Sequence, residues 1–276
     1  MKLFKTVAIV GTGLIGGSIA LDLKRGKLAG RVIGVSRHRR TIALALKSGA
    51  IDAGSQDLAS LKDADLVILA TPVHTILELA PKIGRLVGKN CIVTDVGSTK
   101  CEIVTRLEKV FPRFVGSHPL AGSERRGIAN AAAGLLRNSL CLVTPTKNTD
   151  PQALAKIKQL WSKLGARVIA VTPRMHDEAL AFVSHLPHAA AYSLMNTVPP
   201  AYLKFSAAGL KDTTRIASSD PAIWVDIFLS NRTYMLRAID MLQRQLSGMR
   251  GALSRRKRNA LASILRSGQK KRASLK

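Results

Sequence analysis

The sequence predicts an α/β fold built on a doubly wound parallel sheet, followed by an all-helical second part. Three observations carry this reading. Short apolar runs alternate with helix-like stretches as far as Thr172. The runs are apolar almost throughout, as expected of strands covered on both faces. After Thr172–Pro173 the strand signal stops and only helical periodicity remains. Taken in order, Leu3–Val10 reads as the first strand and meets glycines, then a helical pattern from Leu14. Arg31–Val35, Asp65–Ala70, Cys91–Thr94, Phe114–Gly116, Leu140–Val143 and Val168–Val171 read as further strands. Between them Thr41–Lys47, Thr75–Leu86, Cys101–Val110 and Pro151–Leu164 read as helices. Beyond the change of pattern, Arg174–Asn196 and Ala222–Leu246 are helical stretches, and the last ~25 residues read as an amphipathic helix and then a basic tail. The predicted division is 1–172 and 173–276. Long apolar helices with few acids are hard to bury in so short a second part, and pairing with a second copy is the natural remedy.

The first chemistry-bearing motif sits at the first strand-to-helix turn. Gly11-Thr12-Gly13-Leu14-Ile15-Gly16 is a GxGxxG run. Gly11 suits a tight turn, Gly13 lets the backbone approach a pyrophosphate, and Gly16 lets helix and strand pack closely. In this context it predicts a Rossmann-type dinucleotide site, with Leu14, Ile15, Thr71 and Pro72 beside the glycines. An NAD site would show a carboxylate at the end of the second strand. Here Val35 is followed by Ser36-Arg37-His38-Arg39-Arg40. A hydroxyl and guanidinium groups suit a 2′-phosphate, so NADP is expected in preference to NAD, with Ser36, Arg37, Arg39 and Arg40 as contacts. The competing reading is that these arginines belong to a generally basic surface.

That surface is pronounced. The chain has 276 residues, with 43 Lys and Arg against 17 Asp and Glu, a net charge of +26. Residues 241–276 hold 11 of the basic side chains and no acid. Such a balance raises nucleic acid as a partner. Aromatic residues make up only 4% of the chain, which leaves few platforms for base stacking. The three cysteines, Cys91, Cys101 and Cys141, form no CxxC pair, so neither zinc nor a thioredoxin-like motif is expected. Their odd number and the strand starting directly after Met1 suggest a cytoplasmic protein without a targeting segment. No apolar run reaches the ~18 residues of a membrane span.

Three segments fall at predicted strand ends, where open α/β sheets bind ligands: Thr71-Pro72, Asp95–Lys100 and Gly116–Gly122. Thr99 with Glu102 forms a capping-box pattern, which leaves Ser98 to face a ligand. His118, directly after a strand and above the nicotinamide crevice, is a candidate functional histidine. His185 and His188 are three apart and share a face if helical. No carboxylate or thiol at ligand spacing accompanies them, so no metal site is expected. Pro187 should kink their helix. His38 and His176 are expected on the surface and His74 in a first helical turn, without roles.

Four motifs together resemble the prephenate/arogenate dehydrogenases of tyrosine biosynthesis: DVGSTK at 95–100, GSHPLAGSE at 116–124, SHLPH at 184–188 and LKDTTRIASSDPAIWVDIFLSN at 210–231. The resemblance spans about residues 5–245 in order and spacing. It is nearest to the short, monofunctional form, and the Ser36-Arg37 segment resembles NADP-using, arogenate-oxidising members. It implies oxidative decarboxylation of arogenate to tyrosine or of prephenate to 4-hydroxyphenylpyruvate, with hydride passing to NADP. It also implies a dimer formed through the helical part. By motif match His118 is the base, an apt use of an imidazole near pH 7. Ser98 aligns the substrate hydroxyl with it, and Arg215 binds the substrate carboxylate. Ser123 and Glu124 line and close the site, His188 lies near the substrate, and Asp212 positions or gates near Arg215. Ser123 replaces the family's usual Thr and keeps the hydroxyl. Trp224 fits the pattern equally well as a packing anchor.

Two other readings explain less. A β-hydroxyacid-type dehydrogenase needs a lysine on a helix of the second part. Only Lys204 and Lys211 occur between residues 172 and 240, and His118 would have no role. A nucleic-acid-binding protein using the basic tail would leave the glycine loop, His118 and Arg215 unexplained.

Overall fold

The computed structural model describes residues 2–121 and 127–275. Six parallel strands form the main sheet: β1 (Phe4–Val10), β2 (Ala29–Val35), β3 (Ala53–Ser55), β4 (Leu66–Leu69), β5 (Ile92–Asp95) and β6 (Phe114–Val115), in the order β3-β2-β1-β4-β5-β6. Order reverses beside β1, the crossover that opens a ligand crevice at the carboxyl ends of the strands. Four strands finish in register there, at Val35, Val10, Leu69 and Asp95.

Helices cover both faces: α1 (Leu14–Arg25), α2 (Arg39–Lys47), α3 (Val73–Gly84), α4 (Cys101–Leu107) and α5 (Pro151–Lys163). Strand side chains alternate between the two resulting cores. Val7, Ile9, Leu66 and Ile68 pack with Ile19, Leu23 and Trp161. Ala8, Val10, Val67 and Leu69 pack with Ile76, Ile83 and Phe114. All are buried, at about 1.5–3 kcal/mol for each large aliphatic side chain. Helix starts follow local chemistry. Asp150 accepts from the Ala153 amide at 2.7 Å, with Pro151 in the first turn of α5.

A second, three-stranded sheet follows: β7 (Ser117–Leu120), β8 (Leu140–Val143) and β9 (Arg167–Ala170). β8 runs antiparallel to β7 and parallel to β9. Sequence reading misses β3 and β7. Each is three or four residues long, and Pro119 argues against a strand except at an edge, which is where β7 lies. His118 is therefore a strand residue, opposite Leu142, and not a loop residue after a strand.

From Pro173 onward the described chain is helical: α6 (Pro173–Leu180), a π-helical turn (Ala181–His185), α7 (Leu186–Thr197), α8 (Ala208–Thr214), α9 (Pro221–Ser230), α10 (Arg232–Ser254) and α11 (Arg258–Ala273). The Thr172 hydroxyl caps α6 at the Met175 amide, and the Asp220 carboxylate caps α9 at Ala222. Two expectations need correction. The single helix over 222–246 is interrupted at Asn231, whose buried amide serves other elements. The basic C-terminal segment is helical as far as Ala273. The helical part has a small core of Ala181, Met235 and Ala238, and leaves Val183, Phe205, Val225 and Leu229 exposed. Among the described residues, no helix is long and apolar enough to cross a membrane.

Candidate active site

A cavity of about 820 Å³ opens between the carboxyl edge of the main sheet and the helical part. One half is the glycine loop. Gly11 has φ +98°, and a Cβ there would lie 2.5 Å from the Ala70 carbonyl oxygen. A Cβ on Gly16 would lie 2.0 Å from the Gly11 oxygen. Gly11 and Gly16 thus fix the turn and its packing. Gly13 is different: a Cβ would meet nothing within 4 Å, and the residue faces the cavity with Leu14, Ile15, Thr71 and Pro72. No side chain caps α1, and its first turn holds no acid. This is an open cradle suited to a pyrophosphate.

The segment after β2 lies outside that cavity lining. The Ser36 hydroxyl accepts from the His38 amide at 3.3 Å. Gln56 spans the loop, donating to the Arg37 carbonyl at 2.7 Å and accepting from Arg39 Nε at 2.9 Å. The Arg37 and Arg40 side chains are exposed, and among the described residues neither makes an ion pair.

The other half gathers Ser98, His118, His185, His188, Arg215 and Trp224 on the cavity wall. Ser98 sits on a loop shaped by Asp95, which is fully buried and paired with the equally buried Lys100. Asp95 also accepts from the Gly97 amide at 2.8 Å and the Ser117 amide at 3.2 Å, tying this loop to the start of β7. Ser117 is held further by Trp161 Nε1, which donates to its hydroxyl at 3.0 Å.

The expected capping box does not form. Thr99 instead bonds Ser230 at 2.7 Å, and Glu102 pairs with Arg106. The start of α4 is capped from the helical part. Asp177 accepts from the Lys100 and Cys101 amides at 2.7 and 2.8 Å.

His176, expected on the surface, is fully buried. Its Nε2 lies 2.9 Å from His118 Nδ1, and its Nδ1 lies 2.8 Å from Asp177 Oδ1. Asn231 continues the network, donating to the Asp177 carbonyl at 2.8 Å and lying 3.0 Å from His185 Nδ1. Sequence reasoning missed His176, Asp177 and Asn231. The available signal was weak: His176 is four residues before Leu180, and both face inward on α6.

Burial governs the titrations. It drives His118 well below the ordinary imidazole range, helped by His176, Lys100 and His185. His176 is lowered by burial, against the opposing bond to Asp177. His185 is pushed down to about 4 by burial, and His188 is lowered for the same reason. Bonds from His176 and the two amides hold Asp177 below the usual carboxylate range despite its burial.

His188 Nδ1 donates to the Ser184 carbonyl at 2.9 Å, and its ring stacks on Trp224. Asp212 is exposed on α8 and does not line the cavity. Ser123 and Glu124 lie outside the described residues. Among the described residues, no cluster of three or more His, Cys, Asp or Glu could hold a metal ion.

Comparisons agree along the whole chain. The family model described as prephenate dehydrogenase, nucleotide-binding domain, matches residues 19–170, and that for the prephenate dehydrogenase dimerization domain matches 172–267. The prephenate dehydrogenase of Bacillus subtilis is 37% identical, over 89% of this chain and 69% of its own length. The cyclohexadienyl dehydrogenase of Zymomonas mobilis is 33% identical, over 100% and 98%. The crystal structure of prephenate dehydrogenase from A. aeolicus, in complex with hydroxyphenyl propionate and NAD+, superimposes with a TM-score of 0.94 at 35% identity, covering 99% of this chain and 98% of that one.

Proposed function

The chain belongs to the prephenate dehydrogenase family, and on that premise we propose that it oxidatively decarboxylates arogenate or prephenate, using NADP. The observation that carries this reading is the sharing of one cavity by the Gly13 cradle and by Ser98, His118 and Arg215. Either substrate is a cyclohexadiene with a hydroxyl at C4 and a carboxylate at C1. Loss of the C4 hydride and of CO2 from C1 makes the ring aromatic, which drives the reaction. The nicotinamide, when bound, accepts the hydride.

The chain's own residues do the rest. His118, kept neutral at pH 7 by burial, takes the C4 hydroxyl proton. Ser98 bonds that hydroxyl and aligns it. The Arg215 guanidinium holds a substrate carboxylate, a planar fork for a planar anion. His188, backed by Trp224, lines the substrate half, and Ser123 and Glu124 complete and close it. Asp212 acts, if at all, through Arg215 rather than on substrate.

NADP is the proposed cofactor because the strand end offers the Ser36 hydroxyl and the exposed Arg37 and Arg40, and no carboxylate. Arg39 helps by holding the loop through Gln56. We assign residues 1–172 to nucleotide binding and 173–276 to substrate binding and dimerisation. The apolar side chains left exposed on the helices support a homodimer. Nucleic acid has no part in this reading. The test is direct. Purified protein with NADP+ and either arogenate or prephenate should form NADPH and CO2 in equal amounts; no NADPH with either substrate overturns the proposal.

A further inference from the structure

We infer that His176 is a positioning residue that fixes which nitrogen of His118 carries the proton. The inference rests on reading His118 as the base. It follows from counting hydrogens along the chain Asp177–His176–His118. Asp177 is ionised and acceptor-only. Its Oδ1 lies 2.8 Å from His176 Nδ1, so that nitrogen carries a hydrogen and donates it. His176 is fully buried and neutral, so its Nε2 holds a lone pair. That lone pair lies 2.9 Å from His118 Nδ1, which must therefore donate. His118 is left with its lone pair on Nε2, the form that can take a proton from a substrate hydroxyl. The opposite tautomer would set two lone pairs against each other at His176 and leave no base.

Three separate elements build this chain. β7 supplies His118, α6 supplies His176 and Asp177, and the amides at the start of α4 hold the Asp177 carboxylate in place. His118 is aligned only when the helical part is seated on the sheet.

When His118 Nε2 gains the proton, Nδ1–H stays with His176 and the new charge faces a neutral ring backed by a carboxylate. The other groups near His118 are Lys100, already paired with Asp95, His185 and Cys141. No proton leaves along the chain, so the balance is one proton moved from the substrate oxygen to Nε2.

The test uses the full-length protein with two variants. His176→Leu removes the acceptor; His176→Gln restores an amide oxygen to accept from His118. The expected result is a kcat loss on the order of 100-fold in His176→Leu, with substrate KM and NADP+ affinity within about threefold, and recovery of most of kcat in His176→Gln. Long-range 15N–1H spectra of histidine-labelled wild-type protein should show His118 protonated on Nδ1. A proton on Nε2, or an undiminished kcat in His176→Leu, overturns the inference. The spectrum reads the tautomer without turnover. If His118→Asn proves fully active, the base assignment fails while the tautomer result still stands by itself.

Discussion

The indole of Trp224 stacks on the His188 imidazole, with ring centroids 3.5 Å apart and planes 23° from parallel. Both residues line the cavity, from helices α9 and α7. The stack fixes a ring that is otherwise tethered only through the Ser184 carbonyl. Removing the indole should cost about 0.5–1.5 kcal/mol of ring–ring contact in addition to buried area. Trp224→Leu is expected to raise the substrate KM by roughly 3- to 10-fold while kcat stays near wild type, read by steady-state kinetics at saturating NADP+. A kcat loss with KM unchanged would mean that the stack serves the chemical step.

His118→Asn should lower kcat by about 10²–10⁴-fold with little change in substrate binding, because the base is lost and the volume is nearly kept. Arg215→Ala should act mainly on KM. Near-wild-type turnover in the His118 variant would reject the base.

The pH profile follows from burial. His118 titrates well below the ordinary imidazole range, and the neutral form is the active one. kcat/KM should therefore stay flat through neutrality and fall only as pH drops below that range. An acid limb centred at or above the usual imidazole value would contradict the assignment.

Ser36→Asp combined with Arg37→Ala should shift preference from NADP toward NAD, measured as the ratio of the two kcat/KM values. The carboxylate would meet the ribose 2′-hydroxyl and repel a 2′-phosphate. An unchanged ratio would show that the phosphate is bound elsewhere.

Lys100→Met should leave the Asp95 carboxylate buried and uncompensated. Breaking such a pair costs about 3–5 kcal/mol, so urea unfolding should begin at clearly lower denaturant. Unchanged stability would mean that the Gly97 and Ser117 amides suffice to hold the charge.

Much of the site was legible in the sequence because its parts are local. The turn at Gly11–Gly16 and the loop carrying Ser98 are specified by neighbours a few residues away. Register then brings their strand ends together without further information. His176 was not legible because nothing near it in RMHDEA marks a buried face. Its environment is made by β7, a four-residue strand containing a proline, and by α6 docking on it. Thr99 and Glu102 misled for the opposite reason. Their spacing fits a capping box, but Asp177, 77 residues beyond Lys100, takes the amides first. Long-range partners overrode a sound local pattern in both cases.

The π-helical turn at Ala181–His185 sets the angular phase of everything after it. A turn closed from residue i to i+5 holds one residue more than an α-turn, and one residue corresponds to about 100° of rotation. Excising a single residue within 181–185 would let α6 run into α7 as an ordinary helix. The same excision would swing His188 by roughly a quarter-turn or more about the axis, away from Trp224 and the cavity. Helix content would be preserved, and so would the cofactor half. An indel here is thus a change of bearing rather than of fold. This stretch should tolerate many substitutions and almost no alteration of its length.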